Sequence, residues 1–370
     1  MKDGVLAIAG VLGLAACALA QDPERVLPSR RCGDQFIVDA MINGEGPFAL
    51  LVDTGCSTLV LSPGAAERLG GATPVKGDAG TPLGGKIAVK SAVNIRSLRI
   101  GEVELAESSA PVLGLDRMKW AFRQNIDGIL GFDAFAECIV TFDFPAGQIR
   151  IGGRELRKDE GATGLRVKNH QPSARLSMGA FETEVVLDSG ANGGLELAEP
   201  DRLPRRGEWV PVGAKVTVDG VRVFHGARLD GAVVLAGVTI IDPIVVKAGA
   251  ESLVGCEVLR NFSWTFDQKR GLMLVKSAGA VTIPARRGVG MAVSPNADGL
   301  EVIGVFEGGP AEKAGLRKGD LITRVNGVEV IGMECGGWQK VMQAEKEVQL
   351  VMRRGGEVLE RTLGVVEVVR

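Results

Sequence analysis

Histidine is nearly missing from this 370-residue chain, which contains only His170 and His225. No His/Cys group stands at metal-ligand spacing, so a zinc peptidase site or a Ser/His nucleophile system is poorly supported, and no cofactor is expected. His225, between Phe224 and Gly226, reads as a loop or strand residue. Charge of one sign is also lacking. Lys and Arg number 43 against 45 Asp and Glu, a net charge of −2, which denies the chain the basic footprint of nucleic-acid binding. Aromatic residues make up 4%, with no tyrosine at all. The apolar run from Val5 to about Ala20 is too short for a comfortable membrane span.

That run, preceded by Lys2, reads as a targeting segment over residues 1–20. Two processing routes are open. Ala18-Leu19-Ala20 before Gln21 fits ordinary signal-peptide cleavage, whereas Leu14-Ala15-Ala16-Cys17 resembles a bacterial lipobox that would make Cys17 a lipidated first residue. Either route exports the protein to the periplasm or another extracytoplasmic space, and the membrane is met only through such an anchor. Residues 21–32 read as a linker. Glycine, 52 of 370 residues, stands at about twice its usual share, as many turns between short strands require.

Two triads stand out, Asp53-Thr54-Gly55 and Asp188-Ser189-Gly190. Each ends an apolar run, Phe48 to Val52 and Val185 to Leu187. An apolar strand that delivers an Asp into a hydroxyl-Gly turn sets a carboxylate at a tight corner. Two such carboxylates brought together can share one proton and activate a water. A single Asp-Ser/Thr-Gly is expected by chance in roughly one chain in ten of this length, so the second copy carries the weight.

More of the chain repeats with it. Asp127-Gly-Ile-Leu-Gly131 and the twenty residues to Ile151 align without a gap on Glu251-Ser-Leu-Val-Gly255 and the residues to Val275. Gly131 falls on Gly255, Thr141-Phe142-Asp143 on Thr265-Phe266-Asp267, and Gly147 on Gly271. Both copies predict an apolar strand ending in Gly, a short helical turn and a hairpin. Such a duplication signals two equivalent structural units.

On these residues the chain resembles a bilobal aspartic peptidase, with lobes similar to those of retropepsins and pepsins, over about residues 33–277. The triads match the catalytic motif. Ile129-Leu130-Gly131 and Leu253-Val254-Gly255 match the hydrophobic-hydrophobic-Gly element that packs behind each triad. Leu259-Arg260-Asn261-Phe262 and Phe266-Asp267 look pepsin-like, and Ile42-Asn43-Gly44 through Phe48 resembles bacterial retropepsin-like proteins. Cys56 and Ala191 stand after the triads, where pepsins carry Ser or Thr and retropepsins Ala; the pepsin flap tyrosine has no counterpart.

The resemblance implies a catalytic pair, Asp53 and Asp188, one ionised and one protonated. Thr54 and Ser189 would tie the two loops together, and Gly55 and Gly190 would allow close backbone approach. A peptide would lie extended between the lobes under a flap. Gly80 to Gly85 is the candidate flap tip, with a plain surface loop as the alternative.

A third unit runs over residues 284–370. Gly308-Gly-Pro-Ala-Glu-Lys-Ala-Gly-Leu316 predicts a turn and short helix, Arg317 to Gly327 a turn, strand and hairpin, and Glu347 to Val365 two strands around Gly355-Gly356. These runs resemble a PDZ domain, a fold that binds extended peptides and free C-termini by adding a strand to a sheet edge. Gly288, Val289, Gly290 and Met291 match its carboxylate-binding loop, with Arg286 and Arg287 adding positive charge nearby or serving only as solubilising residues.

Beyond the leader, Cys32, Cys56, Cys138, Cys256 and Cys335 are odd in number, so not all pair internally. A disulfide between lobe cysteines is open, with unspecified connectivity. Cys56 reads as a small buried filler rather than a nucleophile.

The expected molecule is mainly β: pepsin/retropepsin-like barrel lobes at 33–155 and 160–277, then a small α+β PDZ domain at 284–370. Its expected function is exported aspartic endopeptidase activity on peptides or unfolded proteins, with C-terminal peptides as PDZ partners. The alternative is a catalytically weak or inactive peptide-binding scaffold.

Overall fold

The computed structural model describes residues 23–80, 85–106, 108–217, 220–249, 251–277 and 279–369. The targeting segment and Cys17 lie outside them, as do residues 81–84 of the candidate flap tip. The architecture is mainly β, with barrel-like sheets and short helices.

One unit is built twice. In the first copy, Gln35–Ile42 pairs antiparallel with Glu45–Val52. The turn between them uses Asn43 (φ 52°) and Gly44 (φ 85°), the two positive angles that this hairpin type demands. In the second copy, Gln171–Met178 pairs with Phe181–Leu187. Each second strand is driven inward by its apolar residues: Phe48, Leu50 and Val52 are fully buried, as are Val185 and Leu187.

Behind each runs a parallel partner. Gly128–Leu130 pairs with Glu45–Val52, and Leu253–Val254 with Phe181–Leu187. Between triad and parallel strand, each copy sends out a hairpin, Thr73–Gly80 with Lys86–Asn94 and Arg205–Thr217 with Gly220–Leu229.

The copies share a six-stranded sheet. Ile139–Asp143 of the first lies antiparallel to Ser263–Asp267 of the second, with Thr141 opposite Thr265. Their hydroxyls are 2.9 Å apart. These two residues are equivalent in the repeat, so a local twofold axis passes between them. Around it Phe36, Phe132, Phe142, Phe266 and Trp264 form one aromatic core, and Trp264 is only 1% exposed.

The sequence predicts a linker over residues 21–32, and the structure differs. Arg25–Leu27 joins the shared sheet beside Gln148–Ile151, and Arg30–Cys32 pairs with Gln35–Ile42. Three-residue strands have little local pattern; their pairing partners supply the order.

The last unit has its own core of Val302, Ile322, Val325, Val348 and Met352. A sheet of Met291–Pro295, Leu300–Val305, Leu321–Val325, Glu347–Arg354 and Glu357–Gly364 packs with helices Pro310–Lys313 and Gly337–Ala344. Met291–Pro295 lies at the edge of that sheet. A disulfide joins Cys335 of this unit to Cys32, with Cα atoms 5.2 Å apart. The bond thus links the supposed linker to the last unit, not one lobe cysteine to another. Arg286 meets Glu257 of the second copy in an ion pair. The Arg205–Thr217 strand packs against Met291–Pro295 and Val366–Val369.

Candidate active site

The two triads meet at the local twofold axis. Each loop leaves its strand through a bond to the parallel strand behind it: Asp53 N donates to Leu130 O at 3.0 Å and Asp188 N to Val254 O at 2.9 Å. The hydroxyls then cross between copies. Thr54 Oγ1 donates to Leu187 O (2.5 Å) and accepts from Ser189 N (3.0 Å). Ser189 Oγ donates to Val52 O (3.0 Å) and accepts from Thr54 N (3.0 Å). Thr54 and Ser189 are 3% and 2% exposed, so all four bonds are shielded from water.

The glycines face the opposite carboxylates. A Cβ on Gly190 would overlap the Asp53 carboxyl group, and one on Gly55 would overlap that of Asp188. Only glycine permits this approach. Asp53 Oδ1 accepts from Gly55 N (2.8 Å), while Asp188 Oδ1 accepts from Gly190 N and Ala191 N (both 2.9 Å).

Burial first, then the charge of Asp188 and a hydrogen bond to its side chain, push the Asp53 carboxyl well above the usual carboxylate range. The amides of Gly55 and Cys56 oppose that push. Two carboxyl groups so placed favour holding one proton between them, which leaves one base and one acid.

Cys56 is half-buried and its thiol donates to Thr58 O at 3.3 Å. The Cys256 thiol donates to Ser189 O at 3.3 Å, and burial pushes its pKa upward. That burial disfavours a thiolate at Cys256.

Two residues at this site have no part in the expected motif. Gln35 Nε2 donates to Gly190 O at 2.5 Å, and Gln171 Nε2 donates to Gly55 O. Extending the repeat upstream of the triads would have paired them, because each opens the strand that hairpins into its own Asp.

In the last unit, the predicted carboxylate loop connects Arg286–Gly288 to Met291–Pro295. Val289 is buried and its carbonyl accepts from Ala311 N; Gly290 O accepts from Phe306 N (both 2.8 Å). Gly290 has φ 74°, and a Cβ there would meet Gly309. Arg286 and Arg287, which flank this loop, each have a partner of their own. Arg286 reaches Glu257, and Arg287 donates to Glu345 O at 2.9 Å.

Residues 38–134 match the family model described as aspartyl protease, and residues 301–354 match that of the PDZ domain. The first match includes the Asp53 triad and Gly131 and ends before Asp188. No curated protein matches the chain. Solved structures similar to part of it include the PDZ domain of HtrA3 bound to a phage-derived ligand, FGRWV. That pair is 23% identical and covers 22% of this chain and 89% of the other, with a TM-score of 0.20. An aminopeptidase N family protein from Idiomarina loihiensis is 23% identical, covering 23% of this chain and 14% of its own, with a TM-score of 0.21. The chain thus carries an aspartyl protease-type domain at 38–134 and a PDZ domain at 301–354.

Proposed function

We propose that the protein is an aspartic endopeptidase whose two repeats each supply one carboxyl group, Asp53 and Asp188. The observation that carries this reading is the meeting of the two triads, with Asp53 hydrogen-bonded to Asp188 and driven toward its protonated form. In the reaction, the ionised carboxylate takes a proton from a water, whose oxygen attacks the peptide carbonyl carbon. The protonated carboxyl donates to the carbonyl oxygen. Collapse of the tetrahedral intermediate breaks the C–N bond as the nitrogen takes up a proton. The PDZ unit binds substrate or partner peptides at its edge strand, Met291–Pro295, through the Gly288 to Met291 loop.

We also place the mature protein outside the cytoplasm, periplasmic or lipid-anchored. The Cys32–Cys335 disulfide supports an oxidising compartment.

The test is cleavage of an unfolded protein by residues 21–370 from about pH 3 to about pH 8. Asp53→Asn and Asp188→Asn should each lower kcat by roughly 10²–10⁴-fold, and a statine-type inhibitor should block the wild type. An inert wild type that still binds C-terminal peptides would favour the scaffold instead.

A further inference from the structure

We propose that Gln35 and Gln171 are positioning residues that set the separation of the two aspartates, each by holding the glycine carbonyl of the opposite triad. This rests on the peptidase reading above and adds to it a second grip outside the triads.

The geometry is reciprocal. Gln35 belongs to the first repeat and donates to Gly190 O of the second; Gln171 belongs to the second and donates to Gly55 O of the first. The two are equivalent by register. Phe36, next to Gln35, lies opposite Val52, one residue before Asp53. Ser173, two after Gln171, lies opposite Val186, two before Asp188. Each glutamine therefore opens the strand whose hairpin partner ends in its own repeat's Asp.

What each holds matters more than that it holds. Gly190 lies against the Asp53 carboxyl, and Gly55 against that of Asp188. Gln35 thus fixes, from the first repeat, the backbone that walls the first repeat's own aspartate. Gln171 does the same in the second. The Thr54 and Ser189 bonds act lower, on the strand ends Leu187 and Val52, so they leave the glycine carbonyls unheld. Gln35 is 3% exposed, so its bond to Gly190 is not readily replaced by water.

The ionisable neighbours are engaged elsewhere. Asp34, beside Gln35, pairs with Arg31 and Arg260 at 3.1 Å each. His170, beside Gln171, contacts Asp133 at 2.8 Å. The Cys256 thiol donates to Ser189 O. Asp53 and Asp188 are the carboxyl groups that lie directly against the two glycines.

The experiment compares Gln35→Leu, Gln171→Leu and Gln35→Glu in the full chain. Each Leu variant should lose roughly tenfold in kcat/KM, mostly in kcat, and its bell-shaped pH profile should narrow as the aspartates separate. Gln35→Glu should keep activity on the acid limb, where its carboxyl is protonated and can donate, and lose it on the alkaline limb. A purely structural glutamine would not produce that asymmetry. Carbon-detected NMR titration of the Asp carboxyls reads the same separation without substrate: the split between the pair's two apparent pKa values should shrink in both Leu variants. An unchanged split, or kcat/KM within about twofold of wild type in a variant that merely melts earlier, overturns the proposal. An inert wild type, with the split still shrinking in the Leu variants, would sink the peptidase reading and leave this one standing.

Discussion

Replacing Asp53 with asparagine should make the protein more stable at neutral pH than the wild type. An unfolded Asp titrates near its ordinary value of 3.8. In the fold, burial, then the charge of Asp188 and the hydrogen bond to it, raise the Asp53 value well above that. Below the unfolded value both states hold the proton, and the tighter grip of the folded state contributes in full. Between the two values the folded chain holds one proton more than the unfolded chain, so stability falls as pH rises. The slope is at most about 1.4 kcal/mol per pH unit for one proton. The asparagine side chain carries neither a titrating proton nor a charge and keeps the shape of the one it replaces. The stability difference between variant and wild type should therefore grow by up to about 1.4 kcal/mol per unit through that window, then level off. At about 2 °C per kcal/mol for a chain of this size, the melting curves should diverge by roughly 3 °C per pH unit. Asp53 is only half-buried, which makes the slope an upper value. The assay is urea and thermal unfolding at intervals from about pH 3 to about pH 8. Parallel stability curves for wild type and variant would refute the shared proton, whatever the enzyme assay shows.

Gly190→Ala places a methyl group into the Asp53 carboxyl; kcat should fall at least roughly 10²-fold while calorimetric binding of a C-terminal peptide to the PDZ unit is unchanged. Cys335→Ser opens a loop spanning 303 positions, and the urea midpoint should drop by the equivalent of about 2–4 kcal/mol, with about 6 kcal/mol as the loop-entropy ceiling. Adding reductant to the wild type should reproduce that drop and leave the variant unmoved. Arg354→Met strands Asp320, which is 1% exposed and takes two Arg354 bonds at 2.7 and 2.8 Å. Hydrogen exchange in Leu321–Val325 should report about 3 kcal/mol of lost stability. Burial works against the Asp320 charge, but Arg354 and the Arg317 amide hold its pKa below the ordinary 3.8. The native contribution is present above that value and is lost as pH falls through the depressed one, so the effect of Arg354→Met should fade in acid.

The triads, the Gly131 and Gly255 strands and the Asn43-Gly44 turn were legible because each is local chemistry: a polar corner after an apolar run, or a residue pair suited to positive φ. The turns of the PDZ unit were readable for the same reason. What stayed hidden depends on partners far along the chain. Gln35 and Gln171 look like ordinary strand openers until the loop each one reaches, more than a hundred residues away, is in place. Arg25–Leu27 has too few residues to show alternation, and its strand character comes from Gln148–Ile151. Five cysteines gave no means of choosing Cys32 with Cys335, since folding alone brings them together. The charge of Arg286 was visible in sequence, but its direction was not: the pull of Glu257 turns it to the second repeat.

The disulfide also has a bearing on how this protein would age. Cys32 lies near the start of the described chain and Cys335 in its last unit, and most peptide bonds fall inside the ring they close. A single nick anywhere between them changes connectivity without releasing a fragment. A nicked molecule would run as intact on a non-reducing gel and separate into two pieces only when reduced. Wear within the ring would accumulate unseen, and a nick between Asp53 and Asp188 would leave one aspartate on each piece.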